Sequence, residues 1–202
     1  HQKIINCKVF KKLTLGIDPK VFTSVQIKRF FLKNNKIKEI PFNLIDKIHK
    51  NSLSKTKPFF SLDKKIVGES HLKKIARVSK FLKKNKSDYL FISASENVAW
   101  LLNIRGFDNP NSPIPNCRLL INDKGKFYII TDKTKLIGLF KEKKIKKNQV
   151  INEKNFLLTI NKLTRKKIIV DSKTCSLFFE NLFRKNFKIL DKKDPIYLFK
   201  AI

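Results

Sequence analysis

Apolar positions along the chain recur with two alternating periods, one helical and one of strands. Ile27, Phe30 and Phe31 fall at i, i+3 and i+4, and Thr23-Ser24-Val25-Gln26 ahead of them has capping-box form, which predicts a short helix ended by Asn34-Asn35. A strand enters this helix, and "IKEIPFNLIDKIH" after it reads as a short strand followed by a turn of helix. The polar, Pro-containing "KNSLSKTKPFFSLDKK" then reads as a linker. From Gly68 the alternation is regular. Ser70 is placed to cap a helix whose Leu72, Ile75, Val78 and Leu82 share one face, and "YLFIS" reads as a short buried strand. Ser93-Ala94-Ser95-Glu96 repeats the capping-box form before a short helix through Trp100 to Leu102. "CRLLI" and "KFYIIT" predict a hairpin about Asn122-Asp123-Lys124-Gly125, with Gly125 suited to positive φ.

Beyond the hairpin the pattern predicts a helix from about Lys133, a weak strand near Gln149–Ile151 and a helix carrying Phe156, Ile160 and Leu163. "KKIIVD" is the next strand, Thr174 caps a helix with Phe178, Phe179 and Leu182, and "FKIL" is the last strand before "DPIYLFKAI", the start of a further helix. Helices alternating with strands, plus one hairpin, indicate an α/β fold with a mixed sheet flanked by helices on both faces. With 202 residues and 42% hydrophobic content, the chain has enough apolar material for a true core.

Charge complicates the picture without replacing it. A formal net charge of +30 brings nucleic acid into consideration, and a lysine-rich nucleic-acid-binding α/β protein is the alternative reading. Phosphate binders cluster Arg and Lys on one face, whereas lysine here is spread evenly in doublets such as Lys11-Lys12, Lys83-Lys84 and Lys166-Lys167. Abundant Lys, Ile, Asn and Phe beside scarce Gly and absent Met is also what A/T-rich coding produces. Cys7, Cys117 and Cys175 are odd in number and far apart, which argues against a disulfide framework or zinc knuckle and for reduced, cytoplasmic thiols. No apolar run reaches a membrane span, and the chain opens at His1 without methionine.

Few residues stand in a spacing that catalysis or metal binding would need. His1, His49 and His71 stand in no metal-ligand spacing, and neither a Gly-rich phosphate loop nor a nucleophile elbow is present. Asp132 and Asp171, each at a strand end, are the most tempting pair for a metal-dependent nuclease, but Asp at such positions also caps the following helix. Ser70, Ser93 and Thr174 read as caps, since no base is placed to activate them. These negatives describe a supporting domain rather than a catalytic one. One stretch stands apart, "AWLLNIRGFDNPNSP", which holds the only tryptophan and one of the few arginines of a lysine-rich chain.

That stretch resembles the second, creatinase N-terminal-like domain of the cytosolic-type Xaa-Pro aminopeptidases (aminopeptidase P), where a segment of the form "iaWLlNiRG-D---sPv" precedes a hairpin. The resemblance is colinear. "LGIDPKVFT" and "NLID" are similar to segments at the end of the family's first domain, with His49 where tryptophan is usual; "GESHLKKIARV" is similar to the entry of the second domain, and "DPIYLFKAI" to the passage into the catalytic domain. The resemblance implies that residues 1–67 are the tail of a first domain plus linker, 68–193 a complete ribonuclease-H-like second domain, and 194–202 the start of a connection to a pita-bread catalytic domain. It further implies a non-catalytic portion of a peptidase that removes the residue before proline, with no cofactor held by this portion. Two divalent metal ions, usually manganese, would sit in the catalytic domain, the enzyme would be a homodimer, and the substrate a peptide with proline at its second position. On this reading Trp100, Asn103, Arg105 and Gly106 form a wall or rim of the substrate pocket. Arg105 would hold a carbonyl or carboxylate with its planar fork, Gly106 would let the loop turn and Pro113 would stiffen it.

Overall fold

A computed structural model describes residues 12–48, 57–163 and 166–201, and places them in two units: 12–48 with 172–181, and 57–163 and 166–171 with 182–201. His1, Cys7 and His49 lie outside the described residues.

In the first unit, strand β1 (Thr14–Ile17), helix α1 (Ser24–Phe30) and strand β2 (Lys36–Glu39) form a parallel βαβ turn, with Thr14 opposite Lys36 and Ile17 opposite Glu39. The predicted capping box is present: Thr23 Oγ1 accepts from the Gln26 amide at 3.1 Å, and Gln26 Oε1 accepts from the Thr23 amide at 2.9 Å. A short helix, α2 (Leu44–Ile48), follows.

The second unit opens with strand β3 (Phe60–Ser61), helix α3 (Lys64–Val67) and the long helix α4 (His71–Lys84). Next come β4 (Tyr89–Ile92), α5 (Ser95–Leu102), the two-residue β5 (Ile104–Arg105), and the hairpin β6 (Arg118–Asn122) to β7 (Phe127–Ile130). A 3₁₀ turn over Lys133–Leu136 leads into α6 (Ile137–Lys141), then β8 (Val150–Ile151), α7 (Glu153–Asn161) and β9 (Lys166–Val170). Helix α8 (Leu177–Asn186), which belongs to the first unit up to Asn181 and to the second from Leu182, is followed by strand β10 (Phe187–Asp191) and α9 (Ile196–Phe199).

Six strands make one mixed sheet in the order β10-β9-β4-β6-β7-β8. The β10-β9, β9-β4 and β7-β8 neighbours are parallel, and the β4-β6 and β6-β7 neighbours antiparallel. Alternation along the strands sends side chains to two cores. Leu90, Ile92, Leu119, Ile121, Ile129 and Ile169 pack with Ile75, Val78 and Leu82 of α4, with Val98, Leu101 and Leu102 of α5, and with Ile196 of α9. Phe91, pointing the other way from β4, meets Phe183 and Phe156 with ring centroids 4.8 and 6.0 Å apart. The sheet is thus covered on both faces, as the patterning predicts.

Local departures have local causes. The stretch read as a linker carries Phe59, only 1% exposed in the core, because β3 pairs antiparallel with β5, Phe60 opposite Arg105. Leu72, assigned to the buried face of α4, is 66% exposed: it sits at N2, ahead of where the helix meets the sheet. The second capping box does not form. Ala94 is the N-cap of α5 and no side chain caps it, while Ser95 turns its hydroxyl to the Cys117 carbonyl at 2.9 Å. Gly125 does adopt positive φ, +80°, at the hairpin turn.

Candidate functional site

The end of α5 places the four candidate residues. The helix stops at Asn103, whose φ of 53° and ψ of 47° are left-handed, a conformation that Asn tolerates better than most side chains. The chain then turns directly into β5. Asn103 is 4% exposed, so its polar groups need partners, and each has one. Its Nδ2 donates to the Glu69 carbonyl at 2.9 Å, its Oδ1 accepts from Lys74 Nζ at 2.6 Å, and its own carbonyl accepts from Lys144 Nζ at 2.7 Å.

The last carbonyls of a helix lack intrahelical donors and carry the negative end of the helix dipole. In α5 three cations answer them. Lys74 Nζ donates to the Trp100 carbonyl at 3.0 Å, Lys144 to that of Asn103, and Arg105 reaches the carbonyls of Ala99 at 3.4 Å and Ile104 at 2.8 Å. Lys74 is only 3% exposed, and its ammonium also lies 4.0 Å above the centre of the Trp100 ring. Arg77 completes the group, paired with Glu69 at 3.1 Å and set over the Phe199 ring at 4.5 Å.

Electrostatics follow from this crowding. Burial holds the Lys74 ammonium below the ordinary lysine range; Arg105, Arg77 and Lys144 push the same way and Glu69 opposes them. Lys144 is lowered by burial against the opposing pull of Glu142, and His71 by burial and then by Lys144 and Lys74.

The structure therefore brings Trp100, Asn103, Arg105 and Gly106 together, and gives each a structural task. Trp100 packs half-buried against the core and Arg105 spans its own turn. Gly106 has no positive φ, so conformational freedom is not what it supplies. A Cβ there would lie 2.8 Å from Phe59 Cδ1 and 2.9 Å from Pro115 Cα, so it is the close approach of Phe59 and Pro115 that demands glycine. The loop beyond is fastened by Asp108, which accepts from Lys135 Nζ at 2.7 Å and from the Asn116 amide at 2.6 Å. Ser95, Asp108, Asn109, Ile114 and Asn116 line a cavity of about 250 Å³, on which none of the four candidates opens.

Lys74, Lys144 and Arg77 belong to this cluster and sequence reasoning passed over them, because lysines spaced evenly along the chain carry no mark of the few that fold inward. Asp132 and Asp171 are kept apart. Their strands, β7 and β9, are separated by β6 and β4, so at about 4.8 Å per strand they end about 14 Å from each other. Asp132 caps the 3₁₀ turn through the Thr134 amide at 2.9 Å, and Asp171 Oδ2 accepts from the Asp194 amide at 2.9 Å. Among the described residues no three His, Cys, Asp or Glu side chains gather as metal ligands, and no helix is long and apolar enough to cross a membrane.

Comparison with known proteins gives this arrangement a context. Residues 50–202 match the family model described as Creatinase/Prolidase N-terminal domain. The chain is 26% identical over 170 residues to Xaa-Pro aminopeptidase 1 of Dictyostelium discoideum, a match covering 79% of this chain and 26% of that protein. It is 44% identical over 55 residues to a probable Xaa-Pro aminopeptidase P of Laccaria bicolor, covering 27% of this chain and 9% of that one. Among solved structures it is similar to the X-prolyl aminopeptidase from Caenorhabditis elegans, described as a cytosolic enzyme with a di-nuclear active site. The TM-score is 0.79 at 21% identity, over 95% of this chain and 33% of that one, a likeness of fold. The chain spans a third or less of the length of these relatives.

Proposed function

The chain belongs to the creatinase/prolidase N-terminal domain family, and from that premise we propose that it is the non-catalytic N-terminal portion of an Xaa-Pro aminopeptidase. The observation that carries this reading is the family match over residues 50–202, joined to relatives that are Xaa-Pro aminopeptidases. In this reading residues 1–67 are the tail of a first N-terminal domain and linker, 68–193 a second N-terminal domain, and 194–202 the beginning of the passage to a pita-bread catalytic domain.

The enzyme would act on peptides with proline in second position, as a cytoplasmic homodimer. The buried thiols of Cys117 and Cys175, neither held in a disulfide, suit a reducing compartment. Two divalent ions, manganese in this proposal, would polarise the scissile carbonyl and supply the attacking water from the catalytic domain. The described residues offer no ligand set for them, so no metal chemistry is assigned to this portion. What these residues would contribute is rigidity: the cation-capped end of α5 fixes the Trp100–Gly106 turn, and a fixed turn can serve as a wall or rim that limits access to the pocket. The test is direct. The 202-residue chain, supplied with Mn²⁺, should not cleave an Xaa-Pro peptide; metal-dependent cleavage by this chain alone would overturn the proposal.

A further inference from the structure

The corner of the second unit beside Asn103 holds more positive charge than it has acid to answer. Lys74 and Lys144 rest their ammonium groups on neutral oxygens only, the carbonyls of Trp100 and Asn103 and the Asn103 amide. Among the described residues neither lysine forms an ion pair, and nor does His71. The carboxylates that act on the two lysines are engaged elsewhere: Glu69 is paired with Arg77, and Glu142 accepts from the Ser61 hydroxyl.

Burial makes this imbalance costly, because a desolvated cation held only by neutral dipoles and a ring recovers only part of its lost hydration. Lys74 is buried, while Lys144 and His71 are half-buried and so still reach solvent. His71 stands in the first turn of α4, a turn with no acidic residue. It lies one helical turn before Lys74 on the same side of α4; burial, then Lys144 and Lys74, lower its pKa, and an arriving anion would oppose the effect of the two lysines.

We propose that His71 and Lys144, backed by the buried Lys74, form a binding site for a small oxyanion, a phosphate or a carboxylate. The imidazolium and the ammonium donate to the anion's oxygens from the solvent side, and Lys74 supplies charge from behind while staying on Asn103 and Trp100. The site is independent of the peptidase reading, since it draws only on contacts within this unit.

NMR of the His71 imidazole, assigned by His71→Gln, tests the proposal in the 202-residue chain. Inorganic phosphate and acetate are titrated separately, each against sodium chloride at matched ionic strength. The expected result is a saturable rise of about one unit in the His71 pKa with an oxyanion. Stronger binding of phosphate identifies a phosphate site, and equal or stronger binding of acetate identifies a carboxylate site. Lys144→Gln keeps a donor for the Asn103 carbonyl, and with it the fold by circular dichroism, but should weaken the anion about tenfold. Lys141→Met, an equal loss of charge at an exposed neighbour, should not. A response no larger than that to chloride, one retained in Lys144→Gln, or one lost equally in Lys141→Met overturns the proposal.

Discussion

Replacing Asn103 by glycine and by alanine separates the two things this residue does. Both substitutions delete its side-chain bonds, one to the Lys74 ammonium at 2.6 Å and one to the Glu69 carbonyl at 2.9 Å. A bond to a charged group contributes about 1.5–3 kcal/mol and a neutral one about 1 kcal/mol. Lys74 keeps the Trp100 carbonyl and ring, which softens the loss, so Asn103→Gly should cost about 2–4 kcal/mol. Alanine must in addition hold φ at 53°, which disfavours any Cβ-bearing residue by about 1 kcal/mol against glycine. At most positions alanine is the more stable of the two by about 0.5–1 kcal/mol, so the diagnostic is a reversed rank, glycine above alanine.

Urea unfolding reads this directly. Trp100 is the only tryptophan and sits against Lys74, so its fluorescence reports the cluster itself, with far-UV circular dichroism as the second probe. An Asn103→Ala protein as stable as Asn103→Gly would refute the left-handed cap. Two variants within about 0.5 kcal/mol of the parent would refute the claim that Asn103 joins α4 and α5.

Other expectations concern neighbouring contacts. Gly106→Ala should lower stability by about 1–3 kcal/mol, because the new methyl meets Phe59 and Pro115 inside 3.0 Å; an unchanged melting temperature would show that this contact yields easily. Asp194, bonded by Asn97 Nδ2 at 2.7 Å and by the Ile196 amide at 2.9 Å, is pushed by burial up to about 6 from 3.8, with Asp171 adding and those two bonds opposing. Its contribution, about 3 kcal/mol, is fully present below pH 3.8 and lost as pH rises through 6, so Asp194→Asn should flatten the stability profile between pH 4 and 6; a parallel profile would sink this. Arg105→Lys, placed in a whole enzyme, should impair peptide turnover or stability, since a lysine cannot span the Ala99 and Ile104 carbonyls as the guanidinium does; unchanged kinetics and melting would refute the rim role proposed for Arg105.

How far these features could be read from sequence depends on the range of the force behind each. The Thr23–Gln26 capping box and the Gly125 turn are decided within four residues, and both are present as predicted. The sheet strands declare themselves through runs such as "KKIIV", where burial on two faces leaves no polar alternation to mislead. Failures begin where a distant partner decides. Phe59 lies in a polar stretch and is buried only because β5, more than forty residues on, gives β3 a strand to pair with. Ser93-Ala94-Ser95-Glu96 has the letters of a cap, yet the helix begins at Ser95 with Ala94 as its N-cap, one residue past the serine that the box would use. The candidate site shows both regimes at once. Trp100 and Arg105 stand out because Trp and Arg are rare in this sequence, whereas Lys74 and Lys144, which bond Trp100 and Asn103, look like any other lysine in a chain of net charge +30. A helix end needs cations wherever its carbonyls are buried, and in so basic a chain only the fold selects which ones. The corner they form is therefore best probed by charge-matched comparisons such as Lys144 against Lys141, in which each variant loses one positive charge and the position of that loss differs.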